Sequence, residues 1–378
     1  MLIAGEASGD VLGAELVAAL RLRQPDAIFF GVGGPQMQSA GMELIFDFTR
    51  NAVFGLEAIK RLWEFRARFQ RLLQLAIERE PDAIICVDFA GFNRRFAYAI
   101  REHTRSGGSE WQPKIIQYVS PQVWASRPRR ADKLAKDIDL LLAIFPFEKT
   151  WYAKRTPDLH VEFVGHPMID RYARRLPATD KVFNSESPLI VLLPGSRPTE
   201  LKKHLPVFCH VLRRIRSEKP KARAVMILSD RLAELARQIG LPENAEVQAS
   251  LPDALAKADL AIAKSGTVTL ECAYFGVPTV VMYKTSATTY AIAKRIVQVK
   301  WIAMPNLLAN EEVFPEFVQS AATAENIARA VLELMNDTAR RTTVKAKLRE
   351  IAASLGAAGA SGRAAEAILK LLGKEEPK

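Results

Sequence analysis

Short apolar runs that end in glycine or polar turns punctuate the first half of the chain: Leu2–Ala4, Ala27–Val32, Ala83–Val87, Lys114–Val119, Leu140–Phe145 and Val161–Val164. Between several of them, as in Gly13–Leu22 and Ala67–Glu78, apolar residues fall at helical spacing. Strands that alternate with helices imply a parallel sheet covered on both faces. The second half repeats the plan with Leu189–Leu193, Ala224–Leu228, Glu246–Ala249, Leu260–Ala263 and Thr279–Tyr283. The pattern predicts an α/β chain of two Rossmann-like domains in tandem, residues 1–168 and 188–325. The boundary falls in Met168–Ser187, where the apolar pattern lapses and Arg, Pro, Asp, Asn and Ser accumulate. An Ala-rich helical stretch, Asn326–Leu372, occupies most of residues 326–378; it either finishes the second domain or packs back across the first.

The 378 residues suffice for two such domains. No uncharged apolar run approaches the roughly 18 to 20 residues of a membrane span. The first apolar stretch, Met1–Ala4, is also too short for a signal peptide, which makes an intracellular protein with at most peripheral membrane contact the expectation. Cys86, Cys209 and Cys272 are far apart and the five histidines form no HxxxH pair, so neither a disulfide framework nor a structural metal is expected. The net charge of +11 is uneven. Residues 1–170 carry 22 Lys+Arg against 21 Asp+Glu, whereas residues 171–378 carry 31 against 21. Such an excess suits nucleic acid, anionic lipid or phosphorylated small molecules, and the absence of any nucleic-acid module signature disfavours the first.

Ligands of open parallel sheets bind beyond the carboxyl ends of the strands, where the strand order reverses. Two facing domains would share one cleft there. In Ala263–Glu271, AKSGTVTLE, an apolar strand runs into Ser265-Gly266-Thr267 and then into a helical segment. Free backbone amides and the helix dipole make such a turn an anion site, and Gly266 lets a phosphate approach closely. Glu271 lies four residues after Thr267 on the same face, suited to ribose hydroxyls of a nucleoside diphosphate. The plainer alternative makes Ser265 an N-cap and Glu271 a solvated acid.

Four other turns share this setting. Gly5-Glu6-Ala7-Ser8-Gly9-Asp10 follows the first strand, as a ligand-hugging backbone or only a packed connection; it lacks the G-x-G-x-x-G spacing of dinucleotide sites. Asp88 leaves an apolar strand beside Phe89 and Phe92, with Asn93 behind it, as a desolvated general base or as an Asx turn or cap. Gly195-Ser196-Arg197 presents amides and a guanidinium to phosphate oxygens, unless Arg197 is an exposed loop residue. Trp124 in SPQVWA and His166 in VGHP follow strands of the first half: an aromatic platform or core residue, and a cleft residue or hinge cap.

From Val53 to Leu75, aromatic and basic residues interleave. Leu62, Phe65, Phe69 and Leu72 form a stripe that reads as a core face. Phe54, Leu56, Ile59 and Trp63 do not all fit it, and with Lys60 and Arg61 they read either as a surface for an anionic membrane or as ordinary packing.

The motifs GEASGD, GVGGPQM (Gly31–Met37), VDFAGFN (Val87–Asn93), YVSPQVWA, FPFE (Phe145–Glu148), VGHP, LLPGSR, KSGTVTLE and MPNLLAN (Met304–Asn310), in this order over nearly the whole chain, resemble the lipid-A-disaccharide synthases. That resemblance implies two facing Rossmann-like domains of the GT-B architecture and an inverting glycosyltransferase without cofactor. The reaction implied joins UDP-2,3-diacylglucosamine to 2,3-diacylglucosamine 1-phosphate through a β(1→6) bond at the cytoplasmic face of the inner membrane. It makes Asp88 the catalytic base and Arg197 essential, and places UDP over Ser265, Gly266, Thr267 and Glu271 with Asn306 nearby; the strand-end turns themselves add Gly195 and Ser196 to the donor side and Glu6, Ser8, Gly9, Asp10, Asn93, Trp124 and His166 to the acceptor or cleft. A homodimer built by exchange of C-terminal segments is also implied. The chain departs from the family's pattern at Ser126, where Trp is usual, at Arg129, where Gly is usual, and at Ala90, where Pro is common. It begins only four residues before Gly5, so a residue or two missing upstream would leave a short first strand weakened at an edge. Another UDP-sugar transferase, an epimerase of the same architecture, or a non-catalytic UDP-sugar or lipid binder are the rival readings.

Overall fold

A computed structural model describes residues 1–48, 58–106, 110–173 and 181–374, with the backbone alone for residues 58–64. Its first sheet holds β1 (Leu2–Ala4), β2 (Phe30–Gly33), β3 (Glu43–Asp47), β4 (Ala83–Val87), β5 (Lys114–Tyr118), β6 (Leu140–Ala143) and β7 (His160–Phe163), all parallel in the order β3-β2-β1-β4-β5-β6-β7. The second holds β8 (Leu189–Leu193), β9 (Arg223–Ile227), β10 (Ala245–Gln248), β11 (Leu260–Lys264), β12 (Thr279–Tyr283) and β13 (Glu316–Val318), parallel in the order β10-β9-β8-β11-β12-β13. The central strands are buried along almost their whole length, as continuous apolar runs require when helices cover both faces.

Two strands escape the sequence pattern. Glu43–Asp47 and Glu316–Val318 are sheet edges, partly exposed and flanked by acids, and lack a buried run. The expectation of β1 at an edge is corrected: it lies between β2 and β4 and is fully buried. In the helix Pro198–Glu218, Leu201, Leu205, Phe208, Leu212 and Ile215 pack on Ile190 and Leu192 of β8. Each such side chain contributes about 1.5–3 kcal/mol through burial.

The chain divides into two compact units, Met1–Arg171 with Leu355–Lys378, and Tyr172–Ser354. The C-terminal helices are therefore not one segment. Ala324–Asn336 and Thr338–Ser354 belong to the second unit, whereas Ala360–Leu371 packs on the helix Ala7–Arg23 of the first. The VGHP turn anchors that return. His166 N–H donates to Leu355 O (2.9 Å), Arg363 Nε to Val164 O (2.8 Å), and the Asp170 carboxylate accepts from the Gly359 and Ala360 amides. Gly165, at φ +86°, leaves no room for a side chain beside Arg363 and Leu355.

Candidate active site

Strand order decides which of the sequence motifs meet. In the first sheet it reverses between β1 and β4, which pair Ala4 with Val87 and so set GEASGD beside the Asp88 turn. In the second it reverses between β8 and β11, which pair Leu193 with Ala263 and bring PGSR beside KSGT. Both junctions are topological switch points, where α/β sheets bind ligands.

At the first junction Asp88 and Phe89 both have left-handed backbones, φ +49° and +43°. Consecutive non-glycine residues in that region carry strain of the kind stored at functional sites. Phe89 lies flat against Gly5, where any Cβ would sit 2.3–2.5 Å from its ring. Asp88 is half-buried, and burial followed by the charge of Glu6 raises its carboxyl pKa, opposed by a hydrogen bond from the Phe89 amide. Glu6 and Ser8 are exposed at the start of the helix Ala7–Arg23, and Gly9 is buried beside Ala4 and Val87.

Asp10 is corrected as a cleft residue. It is 3% exposed, Oδ1 accepts from the Gly34 and Met37 amides (2.8 and 3.0 Å), and Oδ2 accepts from Gln36 (3.0 Å). It caps the short helix Pro35–Ser39 from another element, which links GEASGD to GVGGPQM. Asn93 is wholly buried and donates to Asp88 O (2.8 Å), so it holds backbone rather than lining a cleft. Trp124 is likewise a core residue, 7% exposed, edge-on to Phe147, with Nε1–H donating to Glu148 Oε1 (3.0 Å). Glu148 also accepts from the Phe145 amide (3.1 Å), and burial pushes its pKa up to about 7. His166 acts as a cap: Met168 N–H donates to its Nδ1 (3.2 Å), and burial lowers its pKa to about 4.

At the second junction three cationic or N–H donors gather on one carboxylate. Glu200 accepts from Ser196 N–H (3.2 Å) and lies 3.1 Å from Lys264 Nζ and 3.9 Å from the Arg197 guanidinium. Gly195, at φ +121°, is required there, since a Cβ would fall 2.6 Å from Glu200 Oε2. Arg197 is 67% exposed and projects from the loop. Buried His204 joins this loop to the end of β12. Its Nδ1 lies 2.7 Å from Pro194 O, to which it donates, and its Nε2 lies 3.1 Å from Lys284 O and 3.2 Å from Lys284 N. Lys264 and His204 were not singled out as site residues from sequence, because their partners lie on other elements.

The helix that follows the KSGT turn, Val268–Tyr274, has Thr267 at its N-cap position with no side-chain cap bond. Ser265 N–H continues the ladder to Met282 O (3.0 Å), and the amide of Thr269 bonds Gly266 O (3.1 Å), so Gly266, Thr267 and Val268 lack helical carbonyls. Ser265 is not the N-cap: its hydroxyl donates to Ile302 O (2.8 Å). Glu271 is not a solvated acid, because Tyr172 Oη donates to its Oε1 (2.7 Å). Asn306, expected near this site, has its side chain taken up by the chain's own groups. Fully buried, it donates to Phe314 O (2.7 Å) and Glu316 Oε1 (2.8 Å) and accepts from Val313 and Phe314 amides (2.9 and 2.8 Å). Glu316, on the unpredicted β13, also accepts from the Ile302 and Ala303 amides (2.9 and 2.8 Å). The knot thereby fixes the carbonyl that receives Ser265.

Among the described residues no group of three His, Cys, Asp or Glu is placed to hold a metal, and no helix is long and apolar enough to cross a membrane. Phe54 and Leu56 lie outside the described residues, as do the side chains of Leu62, Ile59 and Trp63. Of the core stripe, Phe69 packs on Phe92 (5.3 Å) and Phe96 (5.7 Å), Leu72 is fully buried, and Phe65 remains 37% exposed.

Residues 1–369 match the family model described as Lipid-A-disaccharide synthetase. The chain belongs to this family. It is 36% identical to the lipid-A-disaccharide synthase of Geobacter sulfurreducens, covering 99% of this chain and 97% of that protein. The Pseudomonas putida enzyme of the same name is also 36% identical, over 98% of this chain and 97% of its own length. Family membership makes the protein an enzyme, a glycosyltransferase of lipid A biosynthesis. Solved structures agree in fold. A putative UDP-N-acetylglucosamine 2-epimerase from Listeria monocytogenes superposes with TM-score 0.62 at 15% identity, over 100% of this chain and 97% of that one. The calicheamicin glycosyltransferase CalG4 gives 0.60 at 18%, over 100% and 98%. A Neisseria meningitidis UDP-GlcNAc 2-epimerase bound to UDP-GlcNAc gives 0.59 at 13%, over 95% and 96%. The fold is thus the GT-B architecture of two parallel-sheet α/β domains.

Proposed function

We propose that the enzyme joins UDP-2,3-diacylglucosamine to 2,3-diacylglucosamine 1-phosphate through a β(1→6) bond, inverting the anomeric centre and releasing UDP. The observation that carries the mechanism is Asp88, half-buried with a raised pKa at the first switch point on a left-handed backbone. A carboxylate of raised basicity is suited to take the proton of the acceptor's 6-hydroxyl as its oxygen attacks the anomeric carbon and the bond to UDP breaks. In this reading the first unit holds the acceptor and the second the donor. Diphosphate charge is met by the amides at Gly266–Val268, by exposed Arg197 and by Lys264. Glu271 and Tyr172 then form the ribose side.

The aromatic and basic stretch of sequence containing Phe54, Leu56, Ile59 and Trp63 is proposed to rest on the anionic cytoplasmic face of the inner membrane, from which both lipid substrates come. Two copies are proposed to form the working homodimer.

An assay of both substrates with EDTA present tests the reading. Asp88→Asn is expected to keep UDP affinity by calorimetry and to lower turnover about 10²- to 10⁴-fold; wild-type turnover in that variant refutes the assignment. Because several fold neighbours are epimerases, donor alone is the control. Conversion of the UDP-sugar without acceptor would favour an epimerase.

A further inference from the structure

The strained turn at Asp88 is held by two buried side-chain amides, one of which, Gln117, lies outside every sequence motif above. Gln117 is 2% exposed on β5, opposite Cys86 of β4. Its Nε2 lies 3.3 Å from Asp88 O, 3.3 Å from Tyr118 O and 3.1 Å from Val119 O. Asn93 reaches Asp88 O from the opposite element, with Nδ2 also 3.4 Å from Val87 O. Three carbonyls around one NH₂ group fix its orientation as the donor. Val119 itself has φ +68°, a conformation that a β-branched residue resists strongly. The left-handed residues that end β4 and β5 are therefore tied through one glutamine, and none of Asp88, Phe89 and Val119 is a glycine that would adopt such angles without cost.

We infer that Gln117, with Asn93, is a positioning residue for the Asp88 carboxylate: by holding the Asp88 and Val119 carbonyls together it keeps the Asp88–Phe89 turn left-handed and so aims the side chain. This rests on the reading of Asp88 as the base. Without the clamp, the turn relaxes toward ordinary φ values, the carboxylate moves, and water reaches it.

The test is Gln117→Met, which keeps the volume and removes the donor, assayed in the full-length enzyme with saturating acceptor. The expected result is a kcat about 10- to 100-fold lower, with KM for the UDP-sugar unchanged and the acid limb of the rate profile moved to lower pH as Asp88 becomes more solvated. Val119→Gly added to Gln117→Met relieves the strain at its other end and is expected to restore part of kcat; it also carries the test if the single variant does not fold. Combined with Asp88→Asn, Gln117→Met should cause no further loss. A folded Gln117→Met enzyme with wild-type kcat and pH profile overturns the inference while Asp88→Asn remains inactive. An equal loss on top of Asp88→Asn overturns it too, since Gln117 would then act elsewhere. Full activity of Asp88→Asn alone would instead remove the underlying reading.

Discussion

Replacing Asp10 by Ala separates a structural role from a catalytic one. Its carboxylate accepts three backbone amides at 2.8–3.0 Å and is almost fully buried. Hydrogen bonds to a charged acceptor are worth about 1.5–3 kcal/mol each, so a simple sum would be about 5–9 kcal/mol. That sum overshoots, because the three share one acceptor and the freed amides relax toward water; single N-cap losses are about 0.5–2 kcal/mol. We expect a loss of about 2–4 kcal/mol, which for a unit of this size lowers its melting transition by roughly 5–15 °C. Asp10→Asn retains the Oδ1 acceptor for Gly34 and Met37 and should lose about half as much. Calorimetric melting and urea midpoints read the stability, and UDP affinity, which the proposed function assigns to the second unit, should be unaffected. If Asp10→Ala melts within about 2 °C of the parent while kcat/KM collapses, the carboxylate serves a substrate and the capping account is wrong.

Asn306→Ala should also act through stability, costing about 2–4 kcal/mol by orphaning two amides and the Phe314 carbonyl; unchanged melting with lost donor affinity would make it a ligand after all. Gly195→Ala forces a side chain onto φ +121° and against Glu200, and a strain of about 1–3 kcal/mol should distort the loop and raise KM for the donor; wild-type KM contradicts this. Glu148, with its pKa raised from 4.5 to about 7, binds a proton in the folded state that the unfolded chain has released. Its contribution is full below pH 4.5 and lost as pH rises through about 7. His166, lowered from 6.5 to about 4, has the opposite slope, with stability present above pH 6.5 and lost as pH falls toward 4. Urea midpoints between pH 4 and 7.5 should lose the first slope in Glu148→Gln and the second in His166→Asn; superimposable profiles would refute both.

Apolar runs such as Leu189–Leu193 and Leu260–Lys264 were legible because a strand buried on both faces needs apolar residues at every position. Two of the four edge strands, Glu43–Asp47 and Glu316–Val318, were not, since one side meets solvent and the pattern blurs. Motifs were legible as turns, but their roles were not. Asp10 and Asn306 look like ligands in sequence because a polar residue in a glycine- or proline-rich turn has the same signature whether it faces a phosphate or a buried amide.

The sequence by itself determined the alternation of strands and helices, the family through its ordered motifs, and the turns at which chemistry is possible. Local patterning carries that information because it depends on neighbours within a few residues. Only tertiary structure decided that Ala4 pairs with Val87 and Leu193 with Ala263, that Glu200 holds Lys264, and that Gln117 grips Asp88 from another strand. Such bonds join residues 29 to 83 positions apart, and a side chain's donors are committed only when folding removes water and leaves one partner within reach.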